Sequence, residues 1–159
     1  MSSWVSHLPD ISYAQVIGHG LNSRELESNS RLDKFWVQDL NLDQTFPLVD
    51  NSIDYCLLVA AWQYLQYPEN VAEEIFRITK PNGKIIISFS NRAFWSKSPN
   101  IWVESSDNER IKYISNVLSA QGWSIDKTYS FYFNQKTINI FKNTSDPFFA
   151  VVASKDEFL

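Results

Sequence analysis

Residues 35–89 decide the fold of this chain, and they read FWVQDLNLDQTFPLVDNSIDYCLLVAAWQYLQYPENVAEEIFRITKPNGKIIISF. Residues 54–61 and 84–89 are apolar almost without a break, which is typical of parallel strands that are covered on both faces. The shorter apolar run of residues 35–38 predicts another strand, and a Pro-containing loop at residues 46–54 follows it. The stretch therefore predicts a strand, a loop, a strand, a helix and a strand, in this order.

The predicted helix begins at Pro68 and Glu69, because proline is tolerated in the first turn and glutamate suits the positive end of the helix dipole. The KPNG segment at residues 80–83 ends it. Glu73 is placed to pair with Arg77 one turn on. The apolar residues of its inner face recur one turn apart: Val71, Ile75 and Ile78.

Upstream of this stretch, the run AQVIG at residues 14–18 has the length and β-branched content of a strand. Gly18 and Gly20 are expected to end this strand, and a short polar helix is expected to begin near Asn22. A strand followed by a helix and another strand indicates a parallel pair.

Downstream, Ser106 and Glu109 have the spacing of a capping box, and Gly122 is a residue able to end the helix that they begin. The inner face of this helix is predicted to carry Ile111, Ile114 and Leu118. Strands are predicted at residues 123–133 and 147–154, joined by an irregular polar stretch through residues 143–146. Because the last two strands are expected to pair as neighbours, we expect a mostly parallel sheet with an antiparallel edge strand.

Length and charge limit the classes of function. The 159 residues, 44% of them hydrophobic, predict a single domain over residues 1–159, and the net charge of −4 disfavours nucleic acid. The longest apolar run, residues 55–62, is too short to cross a membrane. Cys56 lies in this run, so a buried thiol and a reducing cytoplasm are expected, and His7 and His19 lack a third ligand for a metal. We expect a cytoplasmic protein that binds neither nucleic acid nor a membrane.

Residues 39–92 resemble the class I S-adenosylmethionine-dependent methyltransferases, especially the type 11 group. In that family an acidic residue ends strand three, an "LPF.d.sFD" loop leads into strand four, and a helix ending in "K.PGG" leads into strand five. Here these features are Asp39, FPLVDNSID at residues 46–54 and KPNGK at residues 80–84. The runs SSWVSHLP at residues 2–9 and FSNRAFW at residues 89–95 are also similar to an uncharacterised methyltransferase-like group of cyanobacteria and plants.

The resemblance implies a Rossmann-like three-layer α/β sandwich with the strand order 3-2-1-4-5-7-6. S-adenosylmethionine would lie over the carboxyl ends of strands one, two and four, with its adenine beside Asp39 and Leu40 and its methionine part beside residues 59–62. No catalytic base is obligatory, because methyl transfer mainly requires alignment of the acceptor with the donor. The implied cofactor neighbours are Ser3, Gly18, Gly20, Asp39, Leu40, Ala60 and Trp62. The implied acceptor-side residues are Tyr64, Asn91, Arg92 and Trp95.

Two features depart from the family pattern. The acidic residue that holds the ribose would fall near Gly20, where this chain has no carboxylate. Strand one would precede residues 2–9, so an N-terminally truncated sheet without strand one is expected. Two strand edges would then carry unpaired backbone groups, which a partner or self-association would have to cover.

Three functions follow from these observations. The first is a methyltransferase that acts on a small molecule, and the second is a non-catalytic methyltransferase-like fragment or subunit. The third is an NAD(P)-binding Rossmann protein, because Asp39 follows Gly18 and Gly20 at about the 20-residue spacing of a dinucleotide fingerprint, although Ser23 occupies the third glycine position. Each of these residues also has a purely structural explanation. Asp39 would be a polar residue that ends a strand, Gly18 and Gly20 would be turn glycines, and Arg92 would lie in a solvated loop.

Overall fold

The computed structural model describes residues 6–132 and 146–157. Its backbone forms two compact units, Met1–Gln44 and Thr45–Leu159, and each unit contains one sheet. The candidate residue Ser3 and residues 143–145 of the expected irregular stretch lie outside the described residues. The single domain over residues 1–159 stays a prediction.

The first unit contains a parallel pair of strands. Strand β1 (Ile17–Gly20) pairs with β2 (Lys34–Val37), and helix α1 (Ser23–Ser28) connects them. Asn22 is the N-cap of α1, and its side-chain oxygen accepts a hydrogen bond from the backbone N–H of Arg24 at 3.0 Å. The predicted helix near Asn22 and the predicted parallel pair are confirmed.

Strand β1 lies further along the chain than residues 14–18. Gly18 and Gly20 are inside it, opposite Phe35 and Val37 of β2, so the prediction that these glycines end the strand is wrong. A Cβ atom on Gly18 would clash with the side chain of Leu32. Close packing against Leu32, and not a turn, therefore disfavours a side chain at position 18.

The second unit contains a four-stranded sheet. Its strand order is β3 (Ile53–Val59), β4 (Thr79–Phe89), β6 (Phe148–Ser154) and β5 (Ser124–Phe131). Strands β3 and β4 are parallel, and β6 is antiparallel to both β4 and β5. The antiparallel strand thus lies one place in from the edge of the sheet. In the numbering of the resembled family this order is 4-5-7-6, and that of the first sheet is 3-2.

Helix α2 (Pro68–Ile78) begins at the predicted proline, and its inner residues Val71, Ala72, Ile75 and Ile78 are buried. Full burial of each valine or isoleucine side chain in this set stabilises the fold by about 1.5–3 kcal/mol. The indole N–H of Trp123 donates to the backbone oxygen of Ala72 at 3.1 Å, which fixes α2 against the start of β5.

Helix α2 also holds the loop at residues 46–54. Glu74 accepts a hydrogen bond from the backbone N–H of Phe46 at 2.7 Å. Arg77 donates to Glu74 at 2.6 Å and to Asp50 at 2.5 Å, so Arg77 pairs with Glu74 and not with Glu73 as predicted. The hydrogen bond from Arg77 is the main cause that lowers the pKa of the Glu74 carboxyl. The loop therefore enters β3 along a fixed path.

A short helix, α3 (Asn100–Glu104), and helix α4 (Asp107–Ala120) follow β4. The capping box of Ser106 and Glu109 is confirmed, and Gly122 takes the predicted left-handed conformation with φ 89°. The prediction for the inner face of α4 is only partly correct. Arg110 and Val117 are buried along with the expected Ile114 and Leu118, whereas Ile111 is half-buried, because the Arg110 side chain packs beneath Trp102.

Residues 6–16 contain no strand, and the described part of the chain places no second neighbour beside β1 or β3. The described residues thus supply no strand one. Among the described helices, none is long and apolar enough to span a bilayer.

Candidate functional site

The carboxyl end of β3 has an unusual backbone conformation. Ala60 directly follows the strand with φ 49°, a left-handed conformation that is uncommon for a residue with a side chain. Its backbone N–H donates to the carbonyl oxygen of Ser88 in β4 at 2.8 Å, which holds it in place. Such conformations cost on the order of 1–3 kcal/mol and cluster at functional sites.

The next turn buries two polar side-chain atoms without partners. Trp62 and Gln63 lie in the 3-10 turn Trp62–Tyr64, and each is 2% exposed. Trp62 Nε1 and Gln63 Oε1 have no hydrogen-bond partner among the described residues. A buried polar group without a partner costs about 1–3 kcal/mol, so a bound molecule that pairs with it would gain that energy back. The end of β3 thus offers one donor and one acceptor to a ligand.

Tyr64 and the segment after β4 meet at the same edge of the second sheet. Because Val59 of β3 lies opposite Ser88 of β4 in a parallel pair, both strands end at this edge. The hydroxyl of Tyr64 accepts a hydrogen bond from the backbone N–H of Phe94 at 3.1 Å, and their ring centroids are 6.3 Å apart. The structure therefore brings Tyr64 together with the segment that carries Asn91, Arg92 and Trp95.

The three candidates in this segment are exposed. Arg92 Nε forms an ion pair with Asp146 at 2.7 Å, which ties the segment to the residues before β6. The Trp95 ring lies 5.5 Å from the guanidinium carbon of Arg110. Trp95 is thus held from α4, while Arg92 already has an acidic partner.

The cofactor candidates of the first unit lie where its two strands end. Gln38 N–H donates to the carbonyl oxygen of Gly20 at 3.0 Å, so Gly20 lies beside the chain that leads into Asp39 and Leu40. Asp39 Oδ1 accepts a hydrogen bond from the backbone N–H of Asn41 at 2.9 Å, and Leu40 is buried. Gly20, Asp39 and Leu40 therefore lie together at the carboxyl edge of the first sheet.

His19 in β1 is a neutral, packed side chain. Its ring packs at a tilt against Trp36 with centroids 5.3 Å apart, and Nε2 lies 3.1 Å from the carbonyl oxygen of Gln38. Burial lowers the pKa of His19 to about 4. The imidazole is therefore uncharged at neutral pH, and Nε2 carries the proton that it donates to Gln38.

Neither a reactive thiol nor a metal site is found among the described residues. Burial raises the pKa of the Cys56 thiol to about 11, so the thiol is protonated at neutral pH and is a poor nucleophile. In residues 6–132 and 146–157, no group of three or more His, Cys, Asp or Glu side chains is placed to hold a metal ion.

Sequence reasoning missed Gln63 and Phe94. Gln63 has a signal in hindsight, since it is the first polar residue after the apolar run of residues 55–62. Phe94 has none, because its position depends on the contact with Tyr64.

Comparison with known proteins agrees with this architecture. The model of a methyltransferase domain family, type 11, matches residues 3–87, which is more than half of the chain. An uncharacterised methyltransferase of Mycobacteroides abscessus is 39% identical over 44 residues, which cover 28% of this chain. The match spans only 17% of the length of that relative.

Solved structures share the fold. A structure of the Haloferax volcanii Trm112 methyltransferase activator in complex with a methyltransferase matches 91% of this chain and 73% of the matched chain, with TM-score 0.65 and 15% identity. An S-adenosylmethionine-dependent methyltransferase from Thermotoga maritima matches 89% of this chain and 73% of its own, with TM-score 0.64 and 17% identity. The [4+2]-cyclase SpnF matches 89% of this chain and 67% of its own, with TM-score 0.63 and 12% identity. The family match over residues 3–87 agrees with the strand orders 3-2 and 4-5-7-6 of the two sheets. The chain belongs to the type 11 methyltransferase domain family.

Proposed function

We propose that this protein is an S-adenosylmethionine-dependent methyltransferase that acts on a small molecule. The observation that carries the proposal is the carboxyl end of β3, where the left-handed Ala60 is followed by two buried polar atoms without partners among the described residues, Trp62 Nε1 and Gln63 Oε1. Ligands of open α/β sheets bind outside the carboxyl ends of the strands. The family match supports the class of reaction.

The residues present fit one part of the cofactor better than another. The amino-acid end of S-adenosylmethionine has both donors and acceptors, which suits Trp62 Nε1–H and Gln63 Oε1. The ribose is less well provided for, because no carboxylate stands near Gly20 and Asp39 Oδ1 already accepts a hydrogen bond from Asn41.

In this proposal Asp39 and Leu40 border the adenine, and Ala60 and Trp62 border the methionine part. Ser3, Gly18 and Gly20 are the further cofactor neighbours carried over from the family resemblance. When bound, the cofactor supplies an activated methyl group. The protein then has to align the acceptor, and a fixed Tyr64 side chain suits that task.

We further propose that residues 1–159 act as one cytoplasmic domain whose free strand edges are covered by a partner or a second copy. Strands β1 and β3 each have one neighbour among the described residues, and an uncovered strand edge invites pairing. The complex of a related methyltransferase with its activator makes a protein partner a reasonable expectation.

A non-catalytic role is the second candidate. It is favoured by the lack of a strand one among the described residues and by the missing ribose carboxylate. The similar fold of a cyclase also shows that this architecture hosts other reactions.

Calorimetric titration with S-adenosylmethionine, S-adenosylhomocysteine and NADH separates these functions. We expect the first two to bind and NADH not to bind. Binding of NADH alone would overturn the methyltransferase proposal in favour of a dinucleotide-binding protein. A lack of binding by all three would favour the non-catalytic role.

A further inference from the structure

Two aromatic rings after β4 are exposed at the sheet edge that holds Tyr64. Phe94 is 71% exposed and Trp95 is 47% exposed. Single exposed apolar side chains are common on protein surfaces and need no function. Phe94 and Trp95 are adjacent in the chain and both are exposed, and larger exposed apolar surfaces usually mark binding sites.

Phe94 is held through its backbone and its ring. Its N–H donates to the Tyr64 hydroxyl at 3.1 Å, and its carbonyl oxygen accepts from the N–H of Lys97 at 2.8 Å. The Lys97 ammonium lies 5.6 Å from the centroid of the Phe94 ring. The backbone of Phe94 is therefore fixed, and its ring contacts Tyr64 and Lys97 while most of its surface faces solvent.

Trp95 is held by a buried cation. Arg110 is 6% exposed, and its guanidinium carbon lies 5.5 Å from the Trp95 ring and 5.4 Å from the Trp102 ring. Arg110 Nε donates to the carbonyl oxygen of Trp102 at 3.0 Å, and its NH1 group pairs with Asp107 at 2.9 Å. Trp102 in turn packs edge-on against Phe89, the last residue of β4, and the two ring centroids are 5.0 Å apart. Trp95 is thus connected to the core through Arg110.

The charges around these rings leave a positive excess. Arg110 is neutralised by Asp107, and Arg92 by Asp146. Lys97 has no carboxylate partner among the described residues, and residues 90–99 contain no acidic side chain. A ligand that covers Phe94 and Trp95 would therefore meet one uncompensated ammonium group.

From this geometry we propose that Phe94, Trp95 and Lys97 bind the methyl acceptor, and that the acceptor is a small planar ring compound with a negative group. The rings would stack on the planar part, and Lys97 would pair with the anion. Because contacts with Tyr64, Lys97 and Arg110 already restrict the two aromatic side chains, binding should cost less conformational entropy than it would for unrestricted side chains. The role of the ligand as methyl acceptor rests on the proposed methyltransferase function, whereas the binding surface itself does not depend on that function.

A pair of fluorescent probes tests the surface. The anion 1-anilinonaphthalene-8-sulfonate and the neutral N-phenyl-1-naphthylamine share one ring system and differ in the sulfonate. We expect Lys97→Met to weaken binding of the anion about two- to fivefold, as for an exposed ion pair, and to leave the neutral probe unchanged. Trp95→Ala is expected to weaken both probes by about tenfold through the lost ring contact.

A matched control exists in β5, which is the edge strand farthest from β3 in this sheet. Lys127 lies 4.8 Å from the ring of Tyr129 in β5, so Lys127→Met removes the same kind of pair elsewhere. This variant should bind both probes like the wild type. Equal loss of the anion in both lysine variants, or no loss in Lys97→Met, would overturn the proposal. Circular dichroism would show that each variant is folded.

Two further measurements distinguish this surface from a membrane-binding patch and from the cofactor site. Binding to vesicles of phosphatidylcholine and phosphatidylglycerol that is lost in Trp95→Ala, with unchanged binding of the soluble probes, would overturn the proposal in favour of a membrane surface. Titration with S-adenosylhomocysteine tests the proposed function independently. If S-adenosylhomocysteine fails to bind while the two probes bind the variants as expected, the binding surface is supported and the methyltransferase function is rejected. If S-adenosylhomocysteine binds but the probes do not respond to the variants as expected, only the binding surface is rejected.

Discussion

The backbone N–H of Phe94 donates to the hydroxyl of Tyr64 at 3.1 Å and joins the segment after β4 to the turn after β3. Parallel strands end at one edge of a sheet, so residues 30 positions apart in sequence meet there. The bond links the two segments that the family resemblance assigns to the acceptor side.

Tyr64→Phe should loosen this junction. The variant loses one hydrogen bond, which lowers the free energy of unfolding by about 0.5–1.5 kcal/mol and exposes the Phe94 amide to solvent. Hydrogen exchange followed by NMR should show faster exchange of that amide. The exposed Tyr67 provides the control, because Tyr67→Phe should leave it unchanged. Unaltered exchange of Phe94 in Tyr64→Phe would contradict the role of the bond.

Gln63→Met should not destabilise the ligand-free protein, because the amide oxygen that it removes has no partner among the described residues. It should weaken binding of S-adenosylhomocysteine in calorimetry. Thr79→Val is the matched control: this hydroxyl is buried but donates to the carbonyl oxygen of Ile75 at 2.7 Å, so its loss should lower the free energy of unfolding by about 0.5–1.5 kcal/mol. A similar loss of stability in both variants would mean that Gln63 has a structural partner.

Glu74→Gln should change the pH dependence of stability. The hydrogen bond from Arg77 lowers the pKa of Glu74, so its folded pKa is below the ordinary 4.5. The contribution of the Glu74 carboxylate to the free energy of unfolding is therefore fully present above pH 4.5 and is lost as the pH falls through the folded pKa. Urea unfolding at neutral pH should show a loss of about 1.5–3 kcal/mol for the variant, and the difference from wild type should shrink below pH 4.5.

The exposed neighbour Glu73 supplies the control for this titration. Glu73→Gln should leave the free energy of unfolding at neutral pH unchanged to within about 0.5 kcal/mol. A difference between Glu74→Gln and wild type that grows in acid would be the opposite of the expected sign and would refute the role of the Glu74 carboxylate.

Gly18→Ala should destabilise the first unit, because the added methyl group meets the Leu32 side chain. Because the nearest Leu32 atoms are terminal groups of a flexible side chain, the loss should lie at the lower end of the roughly 1–3 kcal/mol that overpacking costs. The second change Leu32→Ala in the same chain should recover part of that loss, which a double-mutant cycle of unfolding free energies would measure. If the two losses simply add, then Leu32 is not the group that excludes the methyl.

Several features followed from the sequence because they depend on neighbours in the chain. The helix that begins at Pro68, the capping box of Ser106 and Glu109, and the left-handed Gly122 are set by local periodicity and by hydrogen bonds within one turn. Strand order was available through the resemblance to a known family. Of the candidate site, Tyr64 and the segment at residues 91–95 were identified as lying after adjacent strands.

Other features were decided only by contacts between distant residues. The side chain of Leu32 explains Gly18, which looked like a turn glycine. The rings of Trp95 and Trp102 explain why a charged residue, Arg110, is buried in α4 where periodicity favoured Ile111. Nothing in its local sequence marked Phe94.

The sequence by itself thus indicated most of the strands and helices and the family resemblance, because periodicity, capping and motif spacing are properties of short segments; β1 and the short helix α3 were the exceptions. Only the tertiary structure decided that Trp62 and Gln63 are buried with polar atoms that lack partners among the described residues, and that Phe94 and Trp95 are held open to solvent. Burial and hydrogen-bond satisfaction depend on what the rest of the fold brings near each atom, and that is not a property of any single segment.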